Sequence, residues 1–316
     1  MNSTSPSPPA VATTNLVRVI LWMTGALLSF SLMAVAIRAL ATSLTVLEIL
    51  AIRSGVGFFV MLAMLAIWPD LRSAVRSRHP VLHLFRNTIH LAAQYLWAGS
   101  LLLLPLATVF ALEFTTPAWA LLLAVTVLRE RATVSRVGAV LFGFIGVLVI
   151  LRPGIMAFQP AGLLVLTAAL GFAVTLVTTK RLTRTDTTFA IIFWMNAIQF
   201  PLTMLGSDPL FVMKLGADQL WAFAAVGLTG LTSHYCLANA FRSGDAAVVV
   251  PLDFLRIPLI AVIGWLIYRE HVDVFVFLGA GLIIAGILWN LRSEATALGS
   301  PIDPASVPAA PRDMRK

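Results

Sequence analysis

Two carboxylates within long apolar stretches are the side chains of this sequence with the clearest capacity for chemistry. Glu113 and Asp253 each lie about seven residues, or roughly 10 Å of helix rise, from the nearer end of such a stretch. Because a low-dielectric medium disfavours a charged carboxylate, each can bind a cationic group or hold a proton whose release is coupled to solute movement. Both are therefore candidate substrate-binding residues.

Arginines are the candidate ion-pair partners of both carboxylates. Arg256 follows Asp253 by three positions, which predicts an ion pair within one helix; this pairing is compatible with a substrate contact at either residue. Glu113 has no basic residue three or four positions away, so its partner must come from another helix. Arg86 and Arg53 are the candidates, and for Arg53 a structural tie between helices is the predicted role.

A polar stripe accompanies the carboxylates. Arg86, His90 and Gln94 recur every four residues, so they lie on one face of a helix, and a polar face on a membrane helix is expected to line a cavity. For Arg86, snorkelling to the membrane surface is the alternative. His234, the repeat mate of Gln94, is a further candidate, with a purely interhelical hydrogen bond as its alternative.

Two aromatic residues and two prolines complete the set. Trp119 and Tyr235 can stack on an aromatic or cationic ligand, although packing or lipid contact would equally explain them. Pro117 and Pro258 are candidate hinges, because proline frees a backbone carbonyl and kinks a helix. The single cysteine, Cys236, has no companion thiol, and we predict no metal and no cofactor.

The elements that must position these residues are membrane helices. The 316 residues are 59% hydrophobic and 11% charged, with a mean hydropathy of +0.93, which excludes an ordinary water-soluble surface. The apolar residues form blocks of about 20, the length that crosses a bilayer. We predict an all-α membrane protein with ten transmembrane helices, at 17–37, 46–68, 81–104, 106–128, 134–151, 161–179, 187–205, 218–239, 246–267 and 274–291.

The basic residues predict the orientation. Although the formal net charge is +8, the Lys and Arg residues are scattered between apolar blocks, which indicates membrane topology and no nucleic-acid partner. Loops assigned to the cytoplasm hold Arg72, Arg76, Arg78, Arg129, Arg131, Arg136, Lys180, Arg181, Arg184 and Arg242, whereas the opposite loops hold Arg38, Arg152, Lys214 and Arg269. Both termini are predicted to be cytoplasmic, with disordered segments at 1–15 and 293–316.

An internal repeat divides the chain into two halves, 16–152 and 161–292. Since each half holds five spans, the second enters the membrane from the opposite side, as in the inverted repeats of secondary transporters. A shift of 140 residues places Arg129-Glu130 on Arg269-Glu270, Glu113 on Asp253, Gln94 on His234, Tyr95 on Tyr235, Phe114 on Phe254, Gly146 on Gly286 and Arg152 on Arg292.

The same segments resemble a known family. The first copy runs from Pro117 to Leu128-Arg129-Glu130-Arg131, Gly138 and Gly146, and the second from Pro258 to Tyr268-Arg269-Glu270, Gly279, Gly281 and Gly286. Over nearly the whole chain the sequence resembles the EamA-type family of the drug/metabolite transporter superfamily. The resemblance implies ten helices in an inverted five-plus-five topology and the export or uptake of small metabolites. The first copy reads Leu-Arg-Glu where a glycine before the glutamate is common.

Together these features predict a secondary transporter of the cell inner membrane that works by alternating access. Its solute is expected to be a small amphiphile, with any positive group near Glu113 or Asp253 and any carboxylate near Arg86 or Arg256; protons are further candidate partners. No nucleophile elbow, metalloprotease helix or paired-aspartate motif occurs, so an enzyme is not predicted. A channel or a non-transporting scaffold is the alternative function.

Overall fold

The protein is helical throughout the part of the chain that the structure describes. The computed structural model describes residues 15–104, 106–113, 115–127, 133–151, 160–244, 246–253, 255–269 and 274–299. Within those ranges four helical stretches are long and apolar enough to cross a membrane: Leu16–Leu40, Val46–Ile67, Gly162–Leu182 and Ala217–Ser243. This confirms the all-α class. Most of the two predicted disordered ends, and Phe114, Arg129, Glu130, Phe254 and Glu270 of the repeat, lie outside the described residues.

The helices follow the predicted spans with two exceptions described below. In chain order they are α1 Leu16–Leu40, α2 Val46–Ile67, α3 Leu71–Ala74, α4 Pro80–Leu103, α5 Leu106–Glu113, α6 Thr116–Val127, α7 Val134–Leu151, α8 Gly162–Leu182, α9 Thr188–Met204, α10 Leu220–Ser243, α11 Ala246–Asp253, α12 Arg256–Tyr268 and α13 Val274–Gly299, with short 3₁₀ turns at Phe211–Lys214 and Ala217–Gln219. α13 passes residue 292, so the predicted disordered tail begins as a continuation of this helix.

Local signals explain where several helices begin. Thr45 and Glu48 form a reciprocal capping box at the start of α2, in which the Thr45 amide donates to the Glu48 carboxylate at 2.8 Å. The Thr187 hydroxyl accepts from the Ala190 amide at 3.0 Å and caps α9. Pro80 is the first residue of α4, a position where a backbone N–H would have no partner within the helix, so the N–H that proline lacks is not missed.

Two predicted spans, 106–128 and 246–267, are each broken into two helices. α5 ends at Glu113 and α6 begins at Thr116, while α11 ends at Asp253 and α12 begins at Arg256. Pro117 and Pro258 lie in the first turn after each break, and proline cannot donate to the carbonyl four residues earlier. Equivalent turns close both breaks: Thr115 N–H donates to Leu112 O at 3.2 Å, and Leu255 N–H to Leu252 O at 3.1 Å.

The helices of the two halves pack on one another. α1 packs along α10, α2 along α9, α4 along α8, and α7 along α13. Glycines occur on both α7 and α13, and Gly138 shows how they allow the contact: a Cβ at this position would collide with the Trp289 ring. These two helices therefore form a closely packed unit whose contact depends on small residues.

Three of the segments assigned to the cytoplasm meet at one end of the bundle around Asp186. Its carboxylate accepts from the Ser77 hydroxyl at 2.5 Å and lies 2.8 Å from His83 Nε2, and its backbone carbonyl accepts from Arg242. Burial would raise the pKa of Asp186, but hydrogen bonds from Ser77 and His83 outweigh it and hold this pKa below its ordinary value. The carboxylate therefore stays charged at neutral pH and ties three segments together.

The opposite end of the bundle is joined by Lys214. Its ammonium lies 2.7 Å from the Glu48 carboxylate of α2 and 3.1 Å from that of Asp208. Hydrogen bonds to these two carboxylates raise the pKa of Lys214. Nearby, the Gln219 amide donates to Ala39 O at 3.2 Å and to the Thr42 hydroxyl at 2.8 Å. Side-chain contacts thus join the segments at both ends of the bundle.

The end of α12 generates a prediction on stability. Arg269 follows the helix with a φ of 53°, the left-handed region in which a β-carbon clashes with the backbone. We expect Arg269→Gly to raise the free energy of unfolding by up to about 1 kcal/mol, because glycine relieves a clash larger than the extra backbone entropy it loses. Thermal melting of the purified protein in detergent measures the change.

Arg269→Ala is the matched control, since alanine removes the charge and keeps the β-carbon. An Arg269→Ala variant that gains as much stability as Arg269→Gly would contradict the backbone explanation.

Candidate functional site

A cavity lies at the centre of the bundle between the two halves. Its walls come from both halves of the chain, from α1, α2, α4, α5, α6, α8, α10, α11 and α12. Its volume is about 80 Å³, against roughly 300–1,000 Å³ for sites that enclose drug-sized ligands. The polar residues on its walls are Arg53, His90, Gln94, Glu113, Thr116, His234, Asp253 and Arg256.

A charged cluster is formed on one wall by both halves of the chain. Arg256 Nη1 donates to Glu113 Oε1 at 2.7 Å, and Arg256 Nη2 donates to Asp253 Oδ1 at 2.5 Å. The other Glu113 oxygen accepts from Trp97 Nε1 at 2.7 Å, and the Arg256 guanidinium lies 4.4 Å from the Phe30 ring centroid. We call Glu113, Asp253 and Arg256 the charged cluster.

The cluster confirms one predicted ion pair and corrects another. Asp253 and Arg256 pair within one turn of the chain, as their spacing predicts. The partner of Glu113 is Arg256, so the prediction of Arg86 or Arg53 as that partner was wrong. The reason is the broken helices: Glu113 ends α5 and Arg256 begins α12, and both breaks face the same cavity.

The charges of the cluster do not balance. With all three groups ionised, two carboxylates face one guanidinium, which leaves one negative charge in a buried setting. The Asp253 side chain is 22% exposed and that of Glu113 10%, so Asp253 is the more accessible of the two carboxylates. Since uncompensated charge is costly in a low-dielectric site, the cluster can accept either a cationic ligand group or a proton.

A second polar network comes from α2, α4, α9 and α10. Arg53 Nη1 donates to Gln94 Oε1 at 3.0 Å and to Gln199 Oε1 at 3.3 Å. The two amide nitrogens in turn face His90, at 2.8 Å from its Nε2 and 3.0 Å from its Nδ1. A neutral imidazole has one acceptor nitrogen and can accept from one of these two amides, whereas a protonated ring would accept from neither, so the arrangement favours a neutral His90. The His234 ring packs on it edge to face at 4.8 Å.

Three predicted site residues lie away from the cavity. Arg86 is buried, and its Nε donates to the Thr179 hydroxyl at 2.8 Å, so it neither snorkels nor lines the cavity. Trp119 is 40% exposed and Tyr235 is 48% exposed, with its ring against Trp22. Neither aromatic ring lines the cavity. Of Pro117 and Pro258 the structure describes only the helical backbone, in the first turns of α6 and α12.

Comparison with known proteins decides the family. The model of the EamA-like transporter family matches residues 17–152 and 159–292, the two halves of the repeat. The chain belongs to the EamA-like transporter family. This membership confirms the predicted resemblance, and the transporter names of the relatives confirm the prediction of a small-metabolite transporter and of a protein that is not an enzyme.

This EamA-like transporter has curated relatives and a solved structural neighbour. A riboflavin transporter of Rhizobium johnstonii is 30% identical over 87% of this chain and 91% of its own. An S-adenosylmethionine uptake transporter of Rickettsia prowazekii is 25% identical over 89% and 95%. A crystal structure superimposes with a TM-score of 0.69 at 20% identity, covering 89% of this chain and 99% of the other, which shows a shared fold.

Sequence reasoning missed several residues of this transporter's cavity. Arg53 was assigned a structural role, although it lines the cavity. Phe30 was not assigned to the site although it lines the cavity, whereas Trp97 continues the stripe of His90 and Gln94 by one helical turn. The depth of Arg53 within an apolar span was the signal that could have drawn attention to it.

The charged cluster generates a prediction on stability. We expect Arg256→Met to lower the free energy of unfolding by about 3–5 kcal/mol, because it leaves two buried carboxylates without a cation. Asp253→Asn should cost far less, since it leaves one carboxylate paired with one guanidinium. Thermal melting of both variants in the same detergent compares them.

Adding Glu113→Gln to Arg256→Met should recover part of the loss by removing one of the two uncompensated charges. Equal losses for Asp253→Asn and Arg256→Met would show that charge balance does not govern the stability of this wall.

Proposed function

We propose that this transporter moves its small-metabolite substrate across the cytoplasmic membrane by alternating access, with the charged cluster at the centre of its solute site. The observation that carries the proposal is that both halves contribute to this cluster at the ends of broken helices. Discontinuous helices meeting between inverted repeats are a common way for transporters to build a site near the membrane midplane. Glu113, Asp253, Arg256, His90, Gln94 and His234 are the proposed solute-binding residues.

The proposed topology has ten spans, with α5–α6 and α11–α12 each crossing the membrane as one broken helix. Residues 16–152 and 161–292 form the inverted repeats, and both termini are cytoplasmic. Two observations support this arrangement. Among the described residues, the basic segments 72–78 and 180–184 and Arg242 meet around Asp186, and the segments before α2 and between α9 and α10 meet around Lys214. The basic end is the cytoplasmic end by the positive-inside rule.

Alternating access requires the bundle to open at one end at a time. The cavity of about 80 Å³ is too small for a solute the size of a vitamin, so helices must separate for it to enter. We assign the Asp186 contacts and the Lys214 contacts as the two closures that release in turn. The breaks before Pro117 and Pro258 are the proposed hinges, because the backbone there lacks the helical hydrogen bonds that resist bending.

The cluster also limits the chemistry of the solute. Its surplus negative charge suits a cationic group, and the Phe30, Trp97 and Phe172 rings on the same cavity suit a flat heterocycle. S-adenosylmethionine and riboflavin, the solutes in the names of two relatives, both carry heterocycles, and S-adenosylmethionine is also cationic at its sulfonium. A proton on Glu113 or Asp253 is the proposed substitute for the cationic group when the site holds no solute.

Transport by purified protein tests the proposal. Proteoliposomes should accumulate radiolabelled S-adenosylmethionine or riboflavin, and Glu113→Gln should reduce the initial rate about tenfold or more, because it removes the surplus charge that the solute cation or proton balances. Asp253→Asn should also reduce the rate. If proteoliposomes with the wild-type protein take up neither solute faster than protein-free liposomes do, the choice of solute class is contradicted.

Trp119→Phe is the control, because this side chain is exposed outside the cavity and its loss should leave the rate unchanged. Size-exclusion profiles verify that each variant is folded. A Glu113→Gln protein that transports at the wild-type rate would remove the charged cluster from the solute site.

A further inference from the structure

Arg53 has a buried charge without a counterion. It lies in α2, is 2% exposed and lines the central cavity. Only its Nη1 is bonded, to the side-chain oxygens of Gln94 and Gln199, whereas Nε and Nη2 have no hydrogen-bond partner. Among the described residues no carboxylate forms an ion pair with it. Buried charges are normally paired, so an unpaired guanidinium on a cavity wall calls for an explanation.

The surroundings hold this guanidinium in place. The Gln94 and Gln199 oxygens both accept from Nη1, and the Gln199 amide is itself held by a 3.2 Å hydrogen bond from its Nε2 to Asn87 O. On the other side is Gly230 of α10, where a Cβ would come within 2.6 Å of Arg53 Cγ and 3.3 Å of Nε. Glycine at this position therefore lets the Arg53 side chain pack directly against α10, with Nε and Nη2 buried and unpaired.

The two unpaired nitrogens of Arg53 have a specific geometry. Nε–H and one N–H of Nη2 lie parallel within the plane of the guanidinium, and this pair matches the two oxygens of a carboxylate or phosphate. The two other buried arginines of the described core do not offer this. Arg256 already carries two carboxylates, and Arg86 does not line the cavity. The earlier expectation of a substrate carboxylate near Arg86 or Arg256 therefore does not fit the structure.

We propose that Arg53 binds an anionic group of the transported solute, a carboxylate or a phosphate, through Nε and Nη2. The inference rests on the proposed transport function and narrows its solute class. The charged cluster has one surplus negative charge, and the positive charge of Arg53 has no counterion. The cavity is therefore complementary to a solute that carries one positive and one negative group. An amino acid headgroup on a heterocyclic metabolite has this combination, whereas riboflavin itself has neither charge.

Binding of matched ligand pairs to the purified protein tests the assignment. The pairs are S-adenosylmethionine with its decarboxylated analogue, and riboflavin 5′-phosphate with riboflavin, so each pair differs in one anionic group of a different chemistry. Isothermal titration in detergent gives the four dissociation constants. We expect the member of one pair that carries the carboxylate or phosphate to bind about tenfold or more tightly than the member that lacks it, since a site built for a polar group rejects an analogue without that group.

Three variants assign this preference to a residue. Arg53→Met should reduce the preference to about onefold, because it keeps the apolar stem and removes the donors. Gly230→Ala should weaken this preference although Arg53 keeps its charge, because the added methyl group crowds the Arg53 side chain. Arg86→Met is the matched control: it removes an equally buried arginine that does not line the cavity and should leave the preference unchanged. Melting temperatures verify that all three variants fold.

Two results would overturn the inference. One is a wild-type protein that binds both members of each pair equally, and the other is a preference that survives in Arg53→Met. The proteoliposome assay separates this failure from that of the proposed function. If the solute with the anionic group is transported, and Arg53→Met transports it at the wild-type rate, the transport function stands and the role of Arg53 falls.

Discussion

Charge is costly in the interior of a membrane protein, and this constraint shapes the central part of the molecule. Arg256 meets it by contacting two carboxylates, one from each half of the chain. A single side chain therefore links the halves at the point where both broken spans meet. If α12 moved away from α5, Arg256 would leave Glu113 as an unpaired buried carboxylate. The position of α12 relative to α5 therefore depends on the charge state of the site.

The broken spans supply the geometry that this pairing requires. Had 106–128 and 246–267 been continuous helices, Glu113 and Asp253 would lie in mid-helix with their backbones fully bonded. Instead each carboxylate ends a short helix, and the chain turns before the next helix begins. The same hydrogen-bonded turn occurs in both halves, 140 residues apart, although Thr115 and Thr116 of the first half correspond to Leu255 and Arg256 of the second. The conserved element of the repeat is thus a backbone conformation, and the side chains around it are free to specialise.

The parts of this structure that could be predicted from the sequence are those that depend on short spacings and on hydropathy. The helical class, most span boundaries, the Asp253–Arg256 pair and the face shared by His90 and Gln94 belong to this group. The Glu113–Arg256 pair could not be predicted, because 143 residues separate its members. Trp119 and Tyr235 were misplaced for a different reason. Lipid and protein interior are equally apolar, so an aromatic residue in a span does not reveal which of the two it contacts.

Arg86 shows a further limit of periodicity. Its spacing from His90 correctly placed both on one face of α4, yet that face extends beyond the cavity. One helical turn before His90, this face of α4 packs against α8, where the Thr179 hydroxyl accepts a hydrogen bond from Arg86. Spacing defines a face, whereas the extent of a cavity along that face depends on the neighbouring helices. Arg53 is the converse case, in which a residue without a polar stripe on its own helix lines the cavity because α4, α9 and α10 surround it.

The asymmetry of the charged cluster has an evolutionary consequence. Thr116 occupies the position in the first half that Arg256 occupies in the second, and both line the cavity. An antiparallel dimer of two identical single-repeat subunits would have to place the same residue at both positions, either two arginines or two threonines. Fusion of the two repeats into one gene removes that restriction, since each copy then accumulates substitutions independently. The unequal charge distribution around Arg256 is therefore closed to a dimer of identical subunits and open to a fused chain, in which the two positions are encoded separately.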